Sequence, residues 1–310
     1  MNPVRLRAYI ELLIVSAIWG TAAVVIKYTL SGFSPAVFLS YRFLIASVFA
    51  IIFFIFTGLK FLKNPKTLLI LAVYGFLSTT VTLGLLFIGT DKTTSIDANL
   101  LSAVAPITIV IAGVIYLKEH VTRREKIGMA IAFVGTAITV IEPLFKNHNG
   151  WAGIEGNLLV LASVLVATVT AIWAKKIMRD DVDPLPLTNF SFVIGLVTTL
   201  PIALLTHSPS ELYRLVAATP LPYHLGVFYM ALISGTLAYY LWHRAEKSIE
   251  VSEVSLFAYL YPVFGIPLSI LWLKESITVP FIIGAIIIAF GVAIAELKTQ
   301  KLKVKTTTQN

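Results

Sequence analysis

The sequence predicts an all-α polytopic membrane protein in which ten transmembrane helices form two inverted five-helix repeats. Hydrophobic residues make up 57% of the 310 residues and charged residues only 13%, with a mean hydropathy of +0.87. Soluble domains carry roughly a quarter of their residues as charges, so this chain has too few to cover a surface that faces water. Apolar runs of about 20 residues recur along the chain, and each is long enough to cross ~30 Å of hydrocarbon as a helix.

Ten apolar segments, separated by short connections that hold most of the charge, are the predicted transmembrane helices. They are 9–30, 35–57, 67–89, 96–117, 124–141, 155–174, 185–206, 223–243, 251–273 and 277–296. Lys, Asp, Asn and Pro mark three connections as loops, at 60–66, 146–150 and 179–186. The first segment follows Arg5 and Arg7, as in a signal peptide. It is about 22 residues long and lacks a clean cleavage site, so we interpret it as a retained helix.

The chain nearly repeats itself at an offset of 156 residues, since 78–138 aligns with 234–294 without a gap. The shared positions include a proline, a Lys-Glu pair and two glycines. In the first copy they are Pro106, Lys118, Glu119, Thr122, Gly128 and Gly135, and in the second they are Pro262, Lys274, Glu275, Thr278, Gly284 and Gly291. Such self-similarity indicates duplicated structural units. The alternative, chance similarity between apolar helices, does not account for the matching Pro, Lys-Glu and Gly positions.

The distribution of Lys and Arg predicts how the helices are oriented. If the N-terminus is cytoplasmic, eighteen of these residues lie inside, four lie outside, and Lys27 and Arg42 lie within helices. Cytoplasmic loops are enriched in Lys and Arg, so we expect both termini, with the basic tail 298–310, on the inner side of the cytoplasmic membrane. Five helices per repeat is an odd number, so the repeats enter the membrane from opposite sides. Many secondary transporters have this architecture.

Both halves end in a proline, a Leu-Lys-Glu and a helix with two glycines seven residues apart. The first helix also contains Trp19-Gly20 followed by Lys27, and the second contains Arg42 seven residues after Pro35. These residues resemble the EamA type of the drug/metabolite transporter superfamily. The resemblance covers residues 8–296 and implies two five-helix domains, 8–142 and 153–297. Members of that family move amino acids, drugs, sugars and other metabolites.

The second half departs from the family pattern at two places. Val166-Ala167 stands where Trp-Gly is expected, and Ser191 stands where the arginine is expected. We therefore predict that the two halves are not equivalent in function.

The sequence lacks the residue patterns of several other classes of protein. It has no H-E-x-x-H, no G-x-S-x-G and no G-x-x-x-x-G-K-[ST], so neither an enzyme nor an ATP-driven pump is predicted. Cys is absent, and four of the five His fall in loops or at helix ends, so no metal site and no cofactor are expected. Those four are His120, His148, His207 and His224. The net charge of +8 follows from membrane orientation, so no nucleic-acid partner is expected.

Two cations inside predicted helices are candidates for function, because an ionisable group in hydrocarbon is costly. Arg42 lies about seven residues, or ~10 Å, inside the outer end of the second helix. It either contacts an anion or carboxylate of the substrate, or extends to the interface or to carbonyl groups of a neighbouring helix. Lys27 lies nearer the outer surface, where it either extends to the interface, acts in gating or contacts the substrate.

No Asp or Glu falls near the middle of a predicted helix, so we expect uncharged polar and aromatic side chains to line a central cavity with Arg42. The candidates are Trp19, Thr21, Tyr74, Ser78, Asn99, Trp173, Tyr239 and Tyr259, and a wider set adds Thr79, Ser102, Tyr240 and Trp242. Pro106 and Pro262 lie in the repeat-related fourth and ninth helices. A proline there kinks the helix and frees a carbonyl group, for gating or for packing alone.

The repeated glycines predict close packing of their helices, either against the other half or, in a homodimer, against a second copy of the chain. We expect a carrier that exports or exchanges a small polar metabolite by alternating access, with that substrate and the lipid bilayer as its partners. The alternatives are a channel-like facilitator, a multidrug efflux carrier and, least favoured, an intramembrane enzyme. Uncoupled movement and coupling through a peripheral acid, Asp97 or Glu253, both stay open.

Overall fold

The computed structural model describes residues 3–57, 65–117, 123–141, 150–179, 182–249 and 254–296. In this part of the chain the regular elements are helices. The first half, residues 3–141, forms α1 Pro3–Thr29, α2 Pro35–Thr57, α3 Pro65–Lys92, α4 Ser95–Ser102, α5 Ala105–Leu117 and α6 Arg123–Ile141. The second half, residues 150–296, forms α7 Gly150–Arg179, α8 Pro184–Thr206, α9 Pro209–Ala218, α10 Leu221–Ser248, α11 Leu256–Leu273 and α12 Val279–Glu296.

Seven of these helices are long and apolar enough to cross a membrane: α1, α2, α3, α7, α8, α10 and α11. Three shorter apolar segments are Ser95–Ile109, Lys126–Ile141 and Val279–Gly291. Many large apolar side chains face outward, including Phe56 at 84% and Leu205 at 85% exposure. A continuous apolar surface of this kind requires lipid around it. The chain is therefore a multi-pass membrane protein.

Several helices are a few residues longer than the predicted segments, and three differences bear on the helix count or on the site. The predicted helix 96–117 is interrupted by a turn at Ala103 and Val104, which separates α4 from α5. An additional helix, α9, begins at a reciprocal cap between Ser208 and Glu211. Hydrogen bonds from Ser208, first from its backbone N–H, hold the pKa of Glu211 below its usual value. The third difference is α10, which continues past the predicted end at residue 243 to Ser248.

Several predicted features lie outside the described residues. They are most of the loops at 60–66 and 146–150, Lys118, Glu119 and Thr122 of the repeat, His120 and His148, Asp180 and Asp181, the acid Glu253, and the tail 298–310.

The helix irregularities themselves recur at the repeat offset. A π-helical segment, Phe76–Val81, lies in α3, and another, Tyr229–Leu237, lies in α10. In α11 a 3₁₀ turn, Leu256–Leu260, precedes an α-helical part that begins at Tyr261, 156 residues after the start of α5. Pro106 and Pro262 are thus each the second residue after a break. A proline is tolerated there because the first turn of a helix needs no internal N–H donor.

Helices of one half pack mainly against helices of the other half. The contacting pairs are α2 with α8, α3 with α7, α6 with α12, and α1 with both α10 and α11. The repeated glycines lie where α6 meets α12. A Cβ added to Gly135 would lie 2.8 Å from the Gly284 carbonyl oxygen, and one added to Gly291 would lie 2.6 Å from that of Gly128. In the described residues these glycines therefore join the two halves of one chain.

Candidate functional site

A central cavity of about 210 Å³ lies between the two halves. Its wall includes residues of α1 to α5 from the first half and of α7, α10 and α11 from the second half. Most of the wall is apolar or aromatic, with hydroxyl groups at Ser78, Thr82, Ser102, Ser163, Thr168 and Ser234. The described lining contains no Asp or Glu. The cavity therefore suits a small molecule with an apolar body and few polar groups.

The structure brings six of the nine predicted cavity residues into this wall. They are Trp19, Arg42, Tyr74, Ser78, Asn99 and Tyr239, with Ser102 and Trp242 from the wider set. Three predicted residues are not part of the lining. Thr21 is hydrogen-bonded to the Tyr229 hydroxyl at 2.7 Å, Trp173 packs behind Tyr74 with ring centroids 6.3 Å apart, and Tyr259 lies in the 3₁₀ turn of α11.

Trp19 joins α1 to two helices of the second half. Its indole Nε1 donates a hydrogen bond of 3.0 Å to the Ser234 carbonyl oxygen in the π-helical segment of α10. Its ring centroid lies 5.0 Å from that of Tyr239, 5.1 Å from that of Trp242 and 6.3 Å from that of Tyr261. These four rings form an aromatic cluster on the cavity wall.

The glycine beside Trp19 is needed because α1 and α11 approach closely there. A Cβ on Gly20 would lie 2.7 Å from the Tyr261 carbonyl oxygen. The Trp19-Gly20 pair thus supplies a large ring beside a close backbone contact with α11.

Arg42 is the buried cation of the cavity. Its side chain is 1% exposed, and its guanidinium carbon lies 5.5 Å from the Phe43 ring centroid and 5.6 Å from that of Phe87. Nε and Nη1 have no hydrogen-bond partner among the described residues. Arg42 therefore neither extends to the interface nor uses these two nitrogens to bind a neighbouring helix. A guanidinium with free N–H groups in an apolar wall is suited to an anionic group.

The π-helical segment of α3 turns hydroxyl groups toward the cavity. Thr82 Oγ1 donates to the Leu77 carbonyl oxygen at 2.8 Å, and Ser78 Oγ donates to that of Gly75 at 3.3 Å. The Leu77 carbonyl oxygen also accepts the backbone N–H of Thr82, as in a π-helical turn, so the hydroxyl adds a second hydrogen bond to it. Insertions of this kind are frequent at functional sites.

Lys27, a predicted gating residue, binds the end of a neighbouring helix of its own half. Its Nζ donates to the carbonyl oxygens of Thr90 at 3.1 Å and Asp91 at 2.7 Å, in the last turn of α3. A lysine at that place caps the carbonyl groups that a helix end leaves free. The contact holds α1 and α3 together at this end of the cavity.

Glu275, from the repeated Lys-Glu pair, caps α4. Its carboxylate accepts hydrogen bonds from the backbone N–H groups of Ser95 at 2.9 Å and Ile96 at 3.0 Å, and from the Ser95 hydroxyl at 2.9 Å. The preceding Lys274 has a φ of 57°, which turns the chain sharply at the end of α11. A carboxylate at a helix N-terminus satisfies free N–H groups. The second half thus fixes the start of a cavity helix of the first half.

His243 and Glu246 are cavity-region residues that sequence reasoning missed. His243 is 4% exposed and lines the cavity, and Glu246 is fully buried. His243 Nδ1 lies 3.1 Å from Glu246 Oε2, and Nε2 lies 3.4 Å from the Tyr74 hydroxyl. Because the predicted eighth helix ended at residue 243, Glu246 fell outside it. The available signal was the spacing of three residues, which places both side chains on one face of a helix.

Among the described residues there is no group of three His, Cys, Asp or Glu side chains that could hold a metal ion.

The chain matches the model of the EamA-like transporter family over residues 6–141 and 154–297. A Bacillus subtilis (strain 168) protein named "Uncharacterized transporter YyaM" is 27% identical over 295 residues, which cover 94% of each chain. Proteins of Salmonella typhimurium (strain LT2) and Escherichia coli (strain K12), each named "Probable amino-acid metabolite efflux pump", are 26% and 25% identical over 91% of this chain and 92% of theirs. A crystal structure of a protein 19% identical shares the fold, with a TM-score of 0.63 over 95% of this chain and 98% of that one.

Proposed function

Since the chain belongs to the EamA-like transporter family, we propose that it is a secondary transporter of a small polar metabolite, an amino acid or a related compound, in the cytoplasmic membrane. The observation that carries the proposal is the central cavity, which both halves line and which holds a buried guanidinium with free N–H groups. Export or exchange is the proposed direction, and the relatives named as amino-acid metabolite efflux pumps support it.

The proposed architecture is ten membrane-spanning helices in two inverted repeats, with α4 and α5 counted as one broken span and α9 outside the count. The seven long helices and three shorter apolar segments supply that number. The repeat-related π-helical segments and helix breaks support duplication, and the Lys and Arg distribution supports cytoplasmic termini. Transport would proceed by alternating access, with the two halves rocking about the cavity.

In this proposal Arg42 binds a carboxylate of the substrate. A guanidinium presents donors in a fork that matches a carboxylate, and the described lining has no acid to compete for it. The aromatic cluster of Trp19, Tyr239, Trp242 and Tyr261 lies in the same wall and would contact the apolar part of the substrate. A charge-assisted hydrogen bond of this kind contributes about 1.5–3 kcal/mol, which corresponds to roughly tenfold to a hundredfold in affinity.

The test is counterflow in proteoliposomes that contain the purified protein, with radiolabelled L-amino acids and the corresponding 2-oxo acids as probes. We expect saturable uptake of at least one probe, accelerated by the same unlabelled compound on the opposite side. R42Q should reduce that uptake about tenfold or more. R214Q, which removes an exposed arginine of α9, is the matched control and should transport normally.

Two results would count against the proposal. Single-channel currents without saturation would favour a channel-like facilitator over a carrier. Normal saturable transport by R42Q would keep the carrier and assign Arg42 to structure alone.

A further inference from the structure

A buried pair of titratable groups borders the transport cavity and has no part in the function described above. The pair consists of His243 and Glu246 on α10, joined by a bond of 3.1 Å between Nδ1 and Oε2. Glu246 is fully buried, and its second carboxylate oxygen, Oε1, has no hydrogen-bond partner among the described residues. Only one face of the pair, the imidazole of His243 with the Tyr74 hydroxyl, borders the cavity.

The surrounding charges leave this carboxylate without an arginine or lysine partner in the described residues. On α7, Lys175 donates to the backbone carbonyl groups of Glu246 and Ile249, at the end of α10. On α1, Glu11 is paired with Arg7 and with Arg244. α8 has no titratable residue, and Asp183, just before it, is paired with Lys247. The remaining titratable groups near the pair are Tyr74 on α3 and Tyr239 on α10.

We propose that His243 and Glu246 together form a proton-binding site on the wall of the transport cavity. In the proton-free form, neutral His243 donates its Nδ1–H to the Glu246 carboxylate, and the pair carries one negative charge. A proton that arrives from the cavity binds at Nε2, next to Tyr74, and the pair becomes an imidazolium and a carboxylate with no net charge. One proton is gained and no covalent bond to another atom breaks, so the site exchanges a proton with cavity water and needs no further reactant.

The charge of the pair and that of Arg42 act on the same cavity. Tyr239, whose ring centroid is 6.0 Å from that of His243, lines the same cavity as Arg42. A substrate carboxylate at Arg42 would be repelled by the proton-free pair and not by the protonated pair. Proton and anionic substrate should therefore bind together, which favours exchange over export, because an inward proton gradient would drive such a pair into the cell. This consequence rests on the proposed carrier function, whereas the proton site itself does not.

The proton site is tested without any substrate. The full-length protein is labelled with ¹⁵N-histidine, placed in lipid nanodiscs and titrated from about pH 5 to about pH 9 by NMR. The chain has five histidines, and H243Q identifies the His243 signals. We expect the imidazole to change protonation within this range. E246Q should weaken its proton affinity about tenfold or more, because the carboxylate no longer shares the proton. D183N, which removes an exposed carboxylate bonded to Lys247 at 2.9 Å, should leave the affinity unchanged.

The outcomes separate this site from the carrier function. If the His243 signals keep one protonation state across the whole range, the proposal is wrong, even where counterflow is normal. If E246Q titrates as the wild type does, the two residues do not act as a pair and the proposal is also wrong. E246D is the second variant if E246Q does not fold, and it should shift the titration in the same direction. A normal titration with no counterflow of any probe would reject the carrier function and leave the proton site standing.

Discussion

At the scale of residues, Arg42 is the side chain on which the proposed substrate preference depends. A buried cation is stable only where an anion, water or polar groups replace the hydration it has lost. Phe43 and Phe87 supply only the weak attraction of their ring faces, and the described lining supplies no carboxylate. The missing negative charge is one that a substrate would bring. If the cavity binds substrate as proposed, it should select for anionic groups and against cations, which argues against a carrier of cationic drugs.

Two substitutions of Trp19 separate the contribution of its ring packing from that of its hydrogen bond. W19F keeps a ring against Tyr239 and Trp242 and loses the bond to the Ser234 carbonyl, at a cost of about 1 kcal/mol. W19A also removes three ring contacts, each contributing about 0.5–1.5 kcal/mol. We expect W19F to lower the melting temperature slightly and to keep transport, and W19A to lower both strongly. Thermal unfolding in detergent and proteoliposome uptake measure the two effects.

W151A is the control for this pair, because the Trp151 ring is 80% exposed at the start of α7. Equal losses in W19A and W151A would show that removal of any large ring is sufficient, and would remove the special role of Trp19.

At the scale of elements, the contact of α6 with α12 depends on glycines. An added Cβ on Gly135 or Gly291 would overlap backbone atoms of the facing helix, so the helices must move apart. Overpacking of this kind costs about 1–3 kcal/mol. We therefore expect G135A and G291A to lower the melting temperature in detergent. G84A is the matched control, because its Cβ meets nothing within 4 Å, and alanine in a helix is favoured by about 0.5–1 kcal/mol.

If G135A melts at the same temperature as G84A, α6 and α12 are not in close contact in the protein. The repeated glycines would then point to an intermolecular contact, which chemical cross-linking between copies would detect.

The sequence was sufficient to predict the helical membrane class and the approximate position of each long helix, because apolar run length is visible without tertiary contacts. Breaks were harder to place. Pro106 and Pro262 indicated disruption, but the interruption precedes them, at Ala103 and in the turn Leu256–Leu260. The prediction lacks α9 because this helix is short and amphipathic and so contains no long apolar run. The cap formed by Ser208 and Glu211 is the sequence feature that marks its start.

The residues of the cavity wall can be predicted only in part, because residue type is visible in the sequence but the direction of a side chain is not. Polar and aromatic residues inside apolar segments are visible in sequence, and six of nine lie in the cavity wall. Thr21 and Trp173 are also polar or aromatic residues within apolar segments, but their side chains contact other helices instead of the cavity. Which way such a side chain faces depends on the rotation of its helix. His243 and Glu246 were missed because a polar last turn resembles a loop in a hydropathy reading. That Arg42 has free N–H groups depends on its neighbours, and no sequence pattern reports it.

For the whole molecule, the helical scaffold is repeated in the two halves, whereas the charged residues of the cavity region are not. The π-helical segments, helix breaks and glycine contacts recur in both halves, and each half packs mainly on the other. The Lys-Glu pair recurs as well, but the charged groups of the cavity region do not. Arg42 lies in the first half, and Ser191 stands at the matching place in the second. The His243–Glu246 pair lies in the second half only, because the position 156 residues before His243 is Phe87 and that before Glu246 is Thr90. A symmetric scaffold can open to both sides, whereas unlike halves can assign substrate and proton to different helices.

This division predicts that exchange and net transport can be separated by one substitution. During exchange the carrier crosses the membrane with substrate bound in both directions, so it never has to release its proton. Accumulation of substrate against its gradient does require the proton to be released on the other side. E246Q leaves the pair without net charge, as in its protonated form, and should keep counterflow within a few-fold while losing accumulation driven by a pH gradient. The measurement uses a radiolabelled form of whichever compound the wild type exchanges, first at equal pH on both sides and then with an imposed gradient. D183N should keep both activities. Retention of pH-driven accumulation by E246Q would show that the proton crosses elsewhere, and loss of both activities would show that Glu246 is needed for the movement of the halves themselves.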